Sequence, residues 1–177
     1  MRAAACGSLF AQLPAGDVLD RSFPSGRLAQ EGVLAIHEGV EQTVVITGSR
    51  AGPARLWTSG HPMASTTEHA QRYMRFLAHL PLLLRPAPER ALVICFGVGN
   101  TTHAAALHPT LTQIDLADLS PGVLGQADWF AHANDNVLAD PRVRVHVDDG
   151  RRVLAAPDRG PYDLVTLEPP PISRSRG

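Results

Sequence analysis

The sequence predicts an α/β fold, a parallel sheet carrying helices, with a small antiparallel β unit in front of it. Three observations carry that prediction. Residues Ala91 to Thr102, ALVICFGVGNTT, form an apolar, partly β-branched run that stops at a glycine pair, with a helix-compatible stretch just beyond. From there to Glu168, strand-like and helix-like stretches alternate regularly, as parallel strands with right-handed crossovers require. Upstream, between residues 32 and 64, short strand signals are separated by turn signals, the pattern of antiparallel hairpins.

Taken in order, residues 1–30 carry Pro, Gly and Ser with little periodicity and are expected to be loop. The first stretch, MRAAACGSLFAQLPAG, resembles a signal peptide only faintly, because its apolar segment is short and broken. GVLAIHEG and QTVVITGS then read as two strands joined at Glu38 to Gln42. Ala51-Gly52-Pro53 marks a turn, Ala54 to Thr58 a third strand, and Ser59-Gly60 another turn. Ser65 with Glu68 has the spacing of a capping box. Ala70, Tyr73, Met74 and Leu77 give the helix that follows one apolar face. Pro81 is expected to end that helix, and Pro86 to Pro88 to separate it from the central strand. The domain boundary therefore falls near residues 84–90.

Beyond the glycine turn, Asn100 to Leu107 reads as a helix and Thr112 to Leu119 as a strand. Ser120 can cap a helix with Pro121 in its first turn, running to about Ala133. Val143 to Val147 is the next strand, Arg151 to Ala156 a short helix, and Tyr162 to Leu167 the last strand. Gly97 and Gly99, Asp118, Asp149 and Glu168 stand at the carboxyl ends of these four strands in succession, which is where open parallel sheets bind ligands. A glycine pair lets the chain turn sharply and lets a ligand approach without meeting a Cβ. The third glycine of the dinucleotide fingerprint is absent, because position 102 is Thr. Asp118, about 20 residues past the glycines, is placed to hold a ribose diol.

Composition narrows the function classes. The 177 residues suffice for one ordinary domain, or one domain with a small extension. All 16 basic residues are Arg, and the net charge of -1 gives no electrostatic case for nucleic acid. The two cysteines, Cys6 and Cys95, make no disulfide framework and suit a reduced, cytoplasmic protein. No apolar run approaches the ~20 residues of a membrane span. The eight histidines lack H-x-x-x-H and H-E-x-x-H spacing, so no metal site is expected. Seven Asp and no Glu lie between Asp115 and Asp149. Asp115 is expected to face solvent, and Asp128, Asp135 and Asp140 to be helix-surface or turn residues, which leaves Asp118 and Asp149 as the functional pair. His79 and His146 read as structural, Tyr73 as either core or site, and Trp57 and Trp129 as packing residues.

Several stretches together resemble one family. ARLWTSGHPMASTTEHAQRYMRFLAHLPLLL is similar to a segment ending Y-x-E-x-L-x-H-L-P-L, with Tyr73, His79, Leu80 and Pro81 in register. LADLSPGVLGQA is similar to V-E-I-D-P-x-V, and ADPRVRVHVDDGRRVL to D-P-R-V-x-V-x-x-x-D-G-R-x-F-L almost residue for residue. ALVICFGVGNTTHAAALHP and YDLVTLEPPP match a glycine loop and the strand bearing a catalytic acid. Over roughly residues 32–171 the chain resembles the spermidine synthase family, the polyamine aminopropyltransferases.

The resemblance implies a Rossmann-like fold of the S-adenosylmethionine-dependent methyltransferase type behind a small antiparallel β domain. On that basis residues 1–30 are a poorly ordered N-terminus, 31–88 the β domain plus helix, and 89–177 a nucleotide-binding α/β domain. The implied activity moves an aminopropyl group from decarboxylated S-adenosylmethionine to a polyamine such as putrescine, without a metal. By position, Gly97 and Gly99 approach the donor, Asp118 takes the ribose hydroxyls, and Asp149, beside Gly150, accepts from the adenine amino group. Tyr73 lines the amine site, and Glu168 stands where the family has its proton-accepting Asp, since an attacking ammonium must first lose a proton. Family members often pair through the front domain, so a homodimer is implied as well.

There are departures. The family's D-S-x-D-P is Glu168-Pro169-Pro170-Pro171 here, its Gln after the first sheet aligns with Ala64, and the acid of its glycine loop is Val98. The donor side of the site survives better than the acceptor side. A complete fold of this type has seven strands where four are read here, as expected of a fragment, of a truncated gene product or of a chain completed by a partner. Two other readings stay open: a methyltransferase-like protein using intact S-adenosylmethionine, and a non-catalytic nucleotide-binding protein.

Overall fold

The structure, a computed structural model, describes residues 32–157 and 159–167. The expected loop over residues 1–30, Cys6 and Glu168 lie outside the described residues.

The front unit is a four-stranded antiparallel sheet in the order β1-β2-β3-β4: β1 (Val33–Glu38), β2 (Thr43–Gly48), β3 (Ala54–Thr58) and β4 (His61–Ser65). One of its two inner strands, β2, is buried on both faces. Val44 and Ile46 enter the main core, and Val45 packs with Trp57 on the other side. The Trp57 indole N–H donates to Thr47 Oγ1 at 2.8 Å, which satisfies its polar edge. The fourth strand is not foreseen from sequence. Ser59 and Gly60 both take positive φ, 46° and 84°, the backbone of a two-residue hairpin turn, so the chain doubles straight back into β4.

Helix α1 (Glu68–Leu84) corrects two expectations. No capping box forms. Ser65 is the last residue of β4, its hydroxyl meets Thr67 Oγ1 at 2.8 Å, and Glu68 pairs with Arg72 instead. Pro81 does not end the helix, which continues to Leu84. The physical reason is the buried stripe Met74, Ala78 and Leu82, spaced at i, i+4 and i+8. Stopping at Pro81 would forfeit the burial of Leu82, worth about 1.5–3 kcal/mol, against one missing N–H bond. Tyr73, assigned to the apolar face, is 57 % exposed.

The second sheet is parallel throughout, in the order β7-β6-β5-β8, from β5 (Arg90–Ile94), β6 (Gln113–Ala117), β7 (Val143–His146) and β8 (Leu164–Leu167). β6 lies on one side of β5 and β8 on the other, so the strand order reverses at the carboxyl end of β5, the usual ligand crevice of such sheets. Helix α2 (Asn100–Ala106) follows β5 after the glycine turn. The single helix expected from Pro121 to about Ala133 is instead α3 (Pro121–Leu124), a 3-10 turn over Ala127–Phe130, and α4 (Ala131–Asn134). Gly122 and Gly125 dilute helix propensity there. Phe130 and Val123 anchor the broken segment by full burial rather than by helical regularity. Helix α5 (Gly150–Ala155) precedes β8 and covers the far face through Val153, which packs with Leu92 and Ala117.

One apolar core runs through both sheets. Val44, Ile46 and Leu56 of the front unit pack in the same cluster as Val93, Phe96, Leu116 and Phe130. Among the described residues no helix is long and apolar enough to cross a membrane, and no group of three His, Cys, Asp or Glu could hold a metal ion.

The Pro81→Ala variant is expected to raise stability by about 1–2 kcal/mol, because Ala restores the helical N–H and removes the ring clash. Urea unfolding followed by circular dichroism measures this, and an unchanged midpoint would show that the proline costs the helix nothing.

Candidate functional site

A pocket of about 300 Å³ lies between the two sheets. The front unit supplies Gln42, Leu56, Thr58, Met63 and Ala64, and the parallel sheet supplies Cys95, Gly97, Asp118 and Ser120 from its carboxyl ends. Most of the wall is apolar, with few polar groups converging on it, as ligand sites commonly are.

Asp118 is the fixed polar point of this pocket. Its Oδ2 accepts the Phe96 N–H at 2.7 Å and its Oδ1 accepts the Ser120 N–H at 2.8 Å. Each oxygen keeps a further lone pair, and the side chain reaches the pocket wall. Burial pushes its carboxyl above the ordinary value and outweighs the two backbone N–H groups, which act in the opposite direction. Ser120 caps α3 by accepting the Val123 N–H at 3.1 Å, and Gln42 Nε2 of the front unit donates to the same hydroxyl. The pocket's two walls are thus joined at Ser120.

The glycine turn divides its labour. Gly97, with φ 55°, lines the pocket. Gly99, with φ 80°, sits before α2, and a Cβ there would stand 2.5 Å from Asn134 Nδ2 and 2.9 Å from the Phe96 ring. It is required by close packing and by its left-handed backbone. Asn134 completes the support by donating to the Val98 carbonyl at 2.9 Å. Cys95, read from sequence as part of the buried strand, lies one residue past β5, takes φ 73° and lines the pocket. Its N–H still donates to the Ala117 carbonyl at 2.7 Å, which holds it beside β6.

Other candidates stand elsewhere. The Asp149 carboxylate caps α5 by accepting the Arg151 N–H at 2.8 Å, and it also pairs with the Arg151 guanidinium. That side-chain pairing first, and the backbone bond second, draw its carboxyl down to about 2. It is absent from the pocket lining. Gly150 packs on Ile94, whose side-chain atoms would lie 2.6–2.8 Å from a Cβ at that position. Tyr73 is exposed on α1 and does not line the pocket.

Sequence reasoning missed Gln42, Met63 and Ser120 as pocket residues. Gln42 and Ser120 are 78 positions apart, and their meeting is decided by how the two sheets dock. The capping signal at Ser120 was legible, but its second partner was not.

An open parallel sheet with its order reversed at a glycine turn, an acid at the end of the neighbouring strand, and an antiparallel unit closing the pocket define a methyltransferase-like α/β protein. Solved structures share this fold. A spermidine synthase from Thermotoga maritima matches with a TM-score of 0.67 at 20 % identity, covering 77 % of this chain and 48 % of that one. A spermidine synthase in complex with the transition-state analogue AdoDATO matches with a TM-score of 0.68 at 21 % identity, over 78 % and 46 %. By sequence, the spermine/spermidine synthase domain matches residues 70–171, and the chain belongs to that family. It is 33 % identical over 96 residues to the spermidine synthase of Coffea arabica, covering 54 % of this chain and 30 % of that protein. It is 26 % identical over 114 residues to the polyamine aminopropyltransferase of Leptospira biflexa, covering 64 % and 40 %. The chain thus spans less than half the length of these relatives.

Replacing Gly99 by Ala forces a Cβ into Asn134 and Phe96, and replacing Gly150 forces one into Ile94. Each variant is expected to lose about 2–3 kcal/mol of unfolding free energy by overpacking, with added backbone strain at Gly99. Denaturant titration measures both, and wild-type stability in Gly99→Ala would rule out the packing role.

Proposed function

We propose that the chain binds the nucleoside part of decarboxylated S-adenosylmethionine in the pocket between the sheets and serves aminopropyl transfer to a polyamine, with putrescine as the acceptor. One observation carries the reading: a buried carboxylate, Asp118, held by two backbone N–H groups at a mostly apolar pocket. A ribose diol presents two O–H donors, and Asp118 retains acceptor capacity on both oxygens. Gly97 brings backbone without a Cβ to the same wall, and Met63, Leu56 and Ala64 offer an apolar bed for an adenine ring. The residues present therefore fit a nucleoside.

The donor, when bound, supplies a carbon made electrophilic by its sulfonium neighbour. The chain's own residues hold and exclude. Asp118 fixes the sugar, and Leu56 and Met63 of the front sheet bound the pocket on the other side, so the donor is held in one position. Transfer forms a bond from the amine nitrogen to that carbon and breaks the carbon–sulfur bond, with methylthioadenosine leaving. The amine must shed a proton before it can attack, and Glu168 is proposed as the carboxylate that takes it. Asp149 and Gly150 are proposed to approach the adenine, and Tyr73 the acceptor, by family resemblance. For Asp149 this requires the carboxylate to exchange part of its bond to Arg151 for the ligand.

The sign of the pH dependence follows from Asp118. A carboxyl whose folded pKa is raised binds its proton more tightly in the folded chain. Its ionisation therefore weakens the fold as pH rises from the ordinary 3.8 through the folded value. Ligand hydroxyls donating to the ionised form offset that loss.

In calorimetric titration, methylthioadenosine and decarboxylated S-adenosylmethionine are expected to bind in the micromolar range, and Asp118→Ala to weaken both more than tenfold, or about 1.4 kcal/mol. A change under threefold would overturn the assignment. Affinity is expected to be flat near neutral pH and to fall on acidification, with a midpoint above the ordinary 3.8. An affinity independent of pH down to that value counts against ionised Asp118 as the acceptor. Formation of methylthioadenosine with putrescine present tests the transfer itself.

A further inference from the structure

Asp115 lies in mid-strand β6, fully buried, where sequence reasoning expected a solvent-facing carboxylate. It alternates with Ile114 and Leu116 of the main core and so projects from the opposite face. The burial is possible because its oxygens are already occupied. His146 Nε2 meets Oδ1 at 2.7 Å, and Gln113 Nε2 and the Tyr162 hydroxyl donate to Oδ2 at 2.6 and 3.0 Å. Burial alone would push this carboxyl up, but those bonds outweigh it and hold the group below the ordinary value.

Around this carboxylate is a polar cleft of about 200 Å³ whose lining includes Arg90, Arg144 and Arg159. Arg90 and Gln113 open β5 and β6 and His146 closes β7, so the cleft runs along the strands, and it shares no lining residue with the pocket at their carboxyl ends. The three guanidinium groups are poorly spent on Asp115. Arg159 Nη1 stands 3.6 Å from Oδ1 and Arg90 Nη2 stands 4.0 Å from Oδ2, both beyond hydrogen-bond reach. Arg159 Nη1 meets the His146 ring instead, 2.6 Å from Nε2 and 3.0 Å from Nδ1. The Nε atoms of Arg90 and Arg159 are buried with no hydrogen-bond partner among the described residues. Arg144, beside Asp115 on β7, makes no ion pair among the described residues. Among the described residues, three arginines and one aspartate line this small cleft, an excess of two positive charges.

We propose that this cleft is a binding site for a phosphate-class dianion, taken either as free phosphate or as the head of a phosphate monoester. Guanidinium groups bind such oxygens in pairs, and a tetrahedral dianion offers enough acceptors for all three. The site is separate from the nucleoside pocket and does not depend on it.

The test is calorimetric titration of the whole chain with inorganic phosphate and with glycerol phosphate, in chloride buffers of constant ionic strength. Saturable one-to-one binding is expected, weakened at least tenfold in Arg144→Gln and in Arg159→Gln. Arg144 is exposed, so Arg144→Gln keeps the fold, and its binding of methylthioadenosine should match that of the wild type. Equal affinity for the two ligands assigns the site to monoesters, and a preference for phosphate assigns it to the free ion. Absence of saturable binding by either, or binding that Arg144→Gln leaves unchanged, would falsify the proposal.

Discussion

The two hydrogen bonds to Asp118 are the constraint on which the site depends. One comes from the Phe96 N–H, at the start of the glycine turn, and the other from the Ser120 N–H, at the start of α3. A single carboxylate therefore sets the distance between two loops that leave adjacent parallel strands. It also satisfies two donors that burial would otherwise leave unpaired, at about 1–3 kcal/mol each. The same geometry keeps the charge at the pocket wall, where burial works against it. On the proposed reading, the group that would hold a sugar is the group that holds the turn.

The fold supports that point from three sides. Beneath it, Phe96, Val98 and Phe130 are fully or nearly fully buried, so the glycine turn rests on close-packed side chains. Beside it, α2 is fastened to α1 through Thr101, whose hydroxyl donates to the Met74 carbonyl at 3.1 Å, and to β4 through Asn100, which donates to the Ser65 carbonyl at 3.2 Å. Above it, the front sheet contributes Gln42 and an apolar wall. The antiparallel unit is thus the upper half of the pocket as well as a neighbour of the parallel sheet.

Much of this was legible in the sequence. The glycine pair, the alternation after it, the strands at residues 112–119 and 143–147, and the D-P-R-V stretch all signal themselves locally, through period, turn chemistry and capping residues. Asp118 was legible because its spacing from the glycines follows from strand and helix lengths. What was not legible depends on partners far along the chain. Asp115 looks like any surface aspartate until His146 and Tyr162 arrive from 31 and 47 residues away to satisfy it. Pro81 looks like a helix stop until the burial of Leu82 is weighed against one lost bond. Asp149 reads as a ligand-binding acid by position, while its immediate geometry is that of a helix cap already paired with Arg151. Local pattern announces a residue's type of role, and tertiary contact decides which role it fills.

The bond from Gln42 to Ser120 has a thermodynamic consequence. Because the pocket has one wall on each sheet, a molecule that fills it touches both, and its binding energy is available only while the sheets remain docked. Occupancy and docking are then linked functions, with each raising the apparent free energy of the other by the logarithm of ligand concentration over Kd. The front sheet and the parallel sheet would melt as one cooperative unit when liganded, and any tendency to part would be suppressed in proportion to saturation. A pocket confined to a single sheet could not exert that leverage.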